Sequence, residues 1–251
     1  MDAFAQQAVA VLLVSLRLAP TLAFSQPFTL VRIPGPVRLC LGIGISAWLV
    51  HADPAATWQQ PFWEKGLPMV AAGELFLGIT LALTLQLAFA ALLTAGRTID
   101  IQAGFGLAVL VDPATRGQLP LVGTLFAYAA GAVFFAIGGP ADVLAVVAAS
   151  LERVPLGVAA LGHAPQLMIA YCSAVFLIAI GLAGLTLLVL FLLDLTVAFL
   201  SRTLPQMNVL LFGFQVKAIA ALVMLPITFA FSAALFARLL RTALQTMPQL
   251  I

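Results

Sequence analysis

Charge is what this sequence has least of. Of 251 residues, 11 are Lys or Arg and 9 are Asp or Glu, 8% in all against 63% hydrophobic; a soluble domain has about a quarter of its residues charged. So little polar side chain cannot cover a water-facing surface, which excludes an ordinary soluble globule. There are only two histidines and two cysteines. His51 and His163 lie in separate connecting regions, no His/Cys/Asp/Glu set has metal-ligand spacing, and no Gly-x-Ser-x-Gly turn occurs, so an enzyme is the class with least support and no metal or cofactor is expected. Cys40 and Cys172 sit in apolar surroundings and read as small packing hydrophobes. A net charge of +2 with no basic patch gives no footprint for nucleic acid. Residues 1–7 hold Asp2 but no Lys or Arg, and the apolar stretch behind them contains Arg17 and Pro20, so a retained first segment is expected rather than a cleaved signal.

What the chain does have is long apolar runs, at residues 4–30, 37–50, 67–93, 119–137, 167–200 and 209–236. About 20 apolar residues cross a hydrocarbon core as a helix. Backbone in lipid must satisfy its own hydrogen bonds, and these runs lack the alternation of barrel strands. The expected fold is therefore all-α, a polytopic helical membrane-type protein with six long apolar helices. Their lengths are uneven. Residues 37–50 make only about 21 Å of helix and residues 167–200 about 51 Å, so some apolar surface must be covered by protein rather than lipid. Between residues 141 and 154, Leu144, Val147, Leu151 and Val154 recur at helical spacing, predicting a short connecting helix with Asp142 as its cap.

Pro205 disfavours helix at Leu204 and marks a tight reversal between the last two runs, which should form an antiparallel hairpin turning at Pro205, Gln206 and Asn208. Asp194 and Lys217 are equidistant from that turn, each about 17 Å along its helix. An ion pair between them would fix the register of the hairpin; in the competing reading each faces a partner subunit or water. Arg17 stands in mid-segment, whereas Glu74, beside Gly73, is expected to snorkel from a helix end.

The stretch from Gly96 to Pro113 has an apolar centre, residues 103–111, too short to span a membrane and bracketed by Arg97, Asp100, Asp112 and Arg116. Gly104 and Gly106 favour non-helical backbone, which survives at membrane depth only when buried in protein or lining a water-filled path. It reads as a loop packed on its own bundle or as a plug.

Taken together, Gly73-Glu74, Asp100-x-Gln102-x-Gly104 leading into Val111-Asp112-Pro113, and Pro205-Gln206-Met207-Asn208 followed by Gly213-Phe214 and Lys217 resemble the FliR family of flagellar export-apparatus proteins, whose injectisome counterpart is the SctT family. Gly213-Phe214 after the turn is more similar to the flagellar form. The resemblance covers nearly the whole chain. It implies a non-enzymatic subunit of a protein-conducting channel in the bacterial inner membrane, within the flagellar basal body. The implied partners are FliP, FliQ and FlhB proteins and exported unfolded flagellar proteins. Residues 1–160 would be FliP-like and 161–251 FliQ-like, in one intertwined unit. The family's plug falls on residues 104–116: Phe105, Leu107 and Leu110 would be apolar blockers, Gly104 and Gly106 hinges, and Asp112, Pro113 and Arg116 the boundary. A narrow apolar constriction stops ions by dewetting. Two alternatives stand beside this reading, an injectisome subunit of the same architecture and a small-molecule or ion transporter using Asp194 or Glu74 as a coupling carboxylate. No internal repeat of the kind transporters show is visible.

Overall fold

The computed structural model describes residues 3–31, 33–52, 66–105, 110–111, 118–158, 165–203 and 209–250. Among them are eight α-helices: α1 Ala3–Phe24, α2 Gln26–Leu30, α3 Gly35–Ala52, α4 Leu67–Ala103, α5 Leu121–Ala136, α6 Gly139–Arg153, α7 Pro165–Thr203 and α8 Val209–Thr246, the last followed by a 3-10 turn, Met247–Gln249. Two two-residue strands, β1 Leu110–Val111 and β2 Gln118–Leu119, pair antiparallel, Leu110 opposite Leu119. The protein is all-α apart from that ladder.

Proline placement explains many of the boundaries. Pro27, Pro36, Pro68, Pro140 and Pro165 all stand in the first turn of a helix, where a missing N–H costs nothing and a fixed φ suits the helix. Gly104 ends α4: at φ 82° it takes the left-handed conformation that stops helices, and its N–H reaches back to the Ile101 carbonyl at 3.2 Å.

Several boundaries differ from the sequence expectation. The first apolar run is broken at Ser25, where the Gln26 N–H donates to Gln86 Oε1 on α4 at 3.0 Å. The second apolar run, expected to be too short to span, forms α3, whose 18 residues, about 27 Å, make it a spanning candidate. Helix α4 does not stop near residue 93 but continues through Arg97 and Asp100 to Ala103, because helix α5 and the hairpin supply partners for its polar groups, as detailed below. The cap of α6 is Gly138, not Asp142, which lies in the first turn, where a carboxylate still complements the helix dipole.

Among the described residues, five helices are long and apolar enough to cross a membrane, or six if the pair α5 and α6, bent by 68°, counts as one broken span. Helices α4, α7 and α8, with 37, 39 and 38 residues, reach about 55–58 Å. That is nearly twice the roughly 30 Å hydrocarbon thickness.

The chain divides into two compact units. Unit 1 comprises residues 1–88, 134–173 and 240–251. Its core includes Leu13, Val14, Leu18, Leu81, Leu85, Phe134, Val147 and Leu239's neighbour Leu240. An open apolar groove of about 710 Å³ lies between α3 and α6, lined by Val37, Cys40, Leu41, Trp48, Leu144 and Ala148. Cys40, expected to pack, is exposed on α3 among the described residues.

Unit 2 comprises residues 89–133 and 174–239. Phe126 is buried edge-on against Phe229 and Phe236, with ring centroids 5.5 and 6.0 Å away. Here α7 and α8 are antiparallel: as the contact residue on α7 steps back through Val197, Asp194 and Thr186, its partner on α8 steps forward through Gly213, Lys217 and Thr228. The outer faces of this hairpin stay open, with Leu177 at 67%, Phe199 at 71% and Phe231 at 77% exposure.

Helices α4 and α5 cross in unit 2 with backbones almost touching, since a Cβ on Gly96 would lie 2.2 Å from Gly123 N and Cα. Neither neighbour is a flexible side-chain tip, so the crossing requires glycine. Gly96→Leu should force the helices apart at a cost of about 1–3 kcal/mol or more, read as lower yield and faster proteolysis of the membrane-extracted protein. Gly181→Ala, where a Cβ meets nothing within 4 Å, should leave both unchanged.

Candidate functional site

Charges buried among apolar helices need partners, and in each unit polar groups gather around such charges. In unit 1, Arg17 on α1 is fully buried. Its Nε donates to Glu74 Oε2 on α4 at 2.7 Å, and Nη2 stands 2.6 Å from the same oxygen. Nη1 donates to Ser150 Oγ on α6, and Nη2 to the Val154 carbonyl that follows α6, both at 3.0 Å. The other carboxylate oxygen, Glu74 Oε1, accepts the Gly157 N–H at 3.3 Å. Snorkelling is therefore the wrong reading of Glu74: it has no exposed surface, and burial is tolerated because a fork-shaped guanidinium meets it side-on. Each stood out in the sequence as a lone charge in an apolar segment, but nothing in the sequence joined the two.

Close helix packing holds the node in place. A Cβ on Gly78 would come within 2.6 Å of the Leu16 and Arg17 carbonyls, so α4 crosses α1 one turn from Glu74 at backbone contact distance.

In unit 2 the polar groups gather where the loop between α4 and α5 begins and ends. Asp100, on the last full turns of α4, is 4% exposed. Both of its carboxylate oxygens accept the Val122 N–H, at 3.1 and 3.2 Å, in the first turn of α5. A carboxylate at that position satisfies an otherwise unpaired amide and complements the dipole. Asp100 thus staples the end of one helix to the start of the next, closing the loop at its base.

Two residues further along α4, Gln102 Nε2 donates to Asp194 Oδ2 on α7 at 2.7 Å. The other oxygen, Asp194 Oδ1, forms an ion pair with Lys217 Nζ on α8. Both charged side chains are partly exposed, 35% for Asp194 and 21% for Lys217. Two residues after Gln102, the Phe214 ring lies over Gly104, where a Cβ would be 2.6 Å from a ring carbon. Side chains from α4, α7 and α8 therefore meet at the root of the loop.

The plug residues expected from sequence divide as follows. Gly104 and Phe105 are at the end of α4 and are half-buried. Leu110 is in the β1 ladder. Gly106, Leu107, Asp112, Pro113 and Arg116 lie outside the described residues, as do the turn residues Pro205, Gln206 and Asn208. Sequence reasoning treated Gln102 and Phe214 only as parts of a resemblance and did not link either to the Asp194 and Lys217 position. Among the described residues, no three of His, Cys, Asp and Glu come together as a metal site would need.

The sequence model of the family described as bacterial export proteins, family 1, matches residues 8–243. The chain is 27% identical to the flagellar biosynthetic protein FliR of Escherichia coli (strain K12) over 180 residues, 71% of this chain and 69% of that protein. It is 27% identical to FliR of Aquifex aeolicus (strain VF5) over 195 residues, 77% and 74% of the two chains. Similarity extends to the Yop proteins translocation protein T of Yersinia pestis, 28% identical over 200 residues, 77% of this chain and 76% of that one.

Removing one member of the buried Arg17 and Glu74 pair should cost about 3–5 kcal/mol, because the other charge is stranded. Arg17→Met or Glu74→Gln should therefore depress the unfolding temperature in detergent strongly, and the double change Arg17→Met with Glu74→Leu should recover much of the loss. A double variant no better than the worse single one would contradict this.

Proposed function

Because the chain belongs to the bacterial export proteins, family 1, we propose that it is a FliR-type subunit of the flagellar type III export gate, helping to form and plug a protein-conducting channel. At the coarser level it is an export-apparatus protein with membrane-spanning helices. The observation that carries the reading is the family match across residues 8–243.

Physical features support it. Helices about 55–58 Å long with outward Leu, Ile and Phe side chains need more cover than a bilayer core of roughly 30 Å supplies. Companion subunits in an assembly would provide it. By family resemblance those companions are FliP, FliQ and FlhB proteins, in the inner membrane at the flagellar basal body, with unfolded flagellar proteins as cargo. The same resemblance makes residues 1–160 FliP-like and 161–251 FliQ-like.

For the plug, the support is the base of the loop. Asp100 ties α4 to α5, and the Asp194 node ties α4 to the hairpin. A loop with both ends anchored can keep Phe105, Leu107 and Leu110 in a pore while its middle yields to a passing polypeptide. Gly104 and Gly106 would be the hinges, and Asp112, Pro113 and Arg116 the polar boundary. Dewetting among the apolar side chains would hold back ions. This role involves no bond chemistry and no cofactor, so it is not an enzymatic one.

An injectisome role is the second reading, favoured by identity to the Yersinia translocation protein that matches the identity to E. coli FliR, 28% against 27%. Deleting the gene should abolish motility and leave host-directed secretion intact; the reverse outcome selects the injectisome. In the assembled gate, replacing residues 104–111 with a short flexible linker should raise ion leak across the membrane several-fold. A leak equal to the parent's would remove the plug.

A further inference from the structure

Resting on the plug reading, we infer that Gln102, Asp194, Lys217 and Phe214 are positioning residues that hold the last turn of α4, and with it the departure point of the loop, against the C-terminal hairpin. The register of the hairpin does not need a charge. Val197 already packs on Gly213, and the buried Thr186 and Thr228 hydroxyls bond each other at 2.6 Å. An ion pair serving only α7 and α8 would also leave the second Asp194 oxygen without a protein donor. Instead that oxygen accepts Gln102 Nε2 at 2.7 Å, so the carboxylate bridges all three helices.

Phe214 acts three residues from Lys217 on the same helix. Its ring covers Gly104 at the point where the left-handed turn carries the chain out of α4. Two positions of the helix end, two residues apart, are thus held by two different contacts, one polar at Gln102 and one steric at Gly104. Loss of either would free the last turn of α4 to rotate or fray, and a blocker attached to that turn would lose its aim.

The choice of glutamine makes the arrangement testable. A carboxamide carries both a donor and an acceptor, so turning it over allows it to meet a cation as well as an anion. Exchanging the two charges should therefore preserve the node, whereas placing like charges together should break it.

The test uses the complete export gate, with ion entry into energised cells as the readout and co-purification of the partner subunits as the check on assembly. Gln102→Leu leaves the ion pair in place, and Phe214→Ala removes only the ring; each should raise leak several-fold without loss of assembly. Asp194→Lys should leak as well, and Asp194→Lys combined with Lys217→Asp should reseal. Replacement of residues 104–111 serves as the reference leak. If that reference leaks while Gln102→Leu and Phe214→Ala stay sealed, the positioning role is wrong and the plug stands. If the exchanged pair assembles but leaks like Asp194→Lys, the bridging role of the carboxylate is wrong. If the reference itself does not leak, the plug reading fails and this inference falls with it.

Discussion

A charge enters a bundle of apolar helices only when another helix answers it, and that constraint organises both units of this protein. Arg17 would be prohibitively costly alone on α1; with Glu74, Ser150 and the Val154 carbonyl around it, it joins α1, α4 and the end of α6. Asp100 and Asp194 do the equivalent in unit 2, one closing the base of the loop and the other tying it to the hairpin. The nodes differ in solvent access. Arg17 and Glu74 are completely enclosed, while Asp194 and Lys217 keep part of their surface.

The second constraint is length. A polar backbone that satisfies itself as helix can be extended indefinitely, but the hydrocarbon layer cannot, so helices near twice its thickness need another apolar environment. Tilt absorbs only part of such a mismatch. The open faces of α7 and α8 carry large side chains such as Leu177, Phe199 and Phe231 rather than the polar residues of a water-facing surface. On the proposed reading, neighbouring subunits of an export assembly would cover these faces.

What could be read from sequence followed from short-range geometry. A tight turn at Pro205 put Asp194 and Lys217 at equal depth, and the structure brings those two side chains together. That Gly104 would leave helical backbone was legible because glycine has no Cβ, and in the structure it takes a left-handed φ of 82°. The Arg17 and Glu74 contact was not legible, since the two are 57 residues apart and their meeting depends on how α1 and α4 cross. Nor was the extension of α4 to Ala103. Arg97 and Asp100 looked like the end of a segment because the amide that Asp100 receives belongs to Val122, on the far side of the loop. The cap of α6 was misassigned to Asp142 because a glycine leaves no side-chain signal at the position it caps.

On the proposed reading, companion subunits rather than lipid alone cover the long apolar helices of this chain. The most direct measurement of this is an experimental map of the chain extracted from its native membrane in mild detergent. The account predicts a multi-subunit assembly in which Leu177, Phe199 and Phe231 on α7 and α8 lie against other polypeptides. A stable, isolated chain with those side chains facing detergent or acyl chains along their whole length would contradict it.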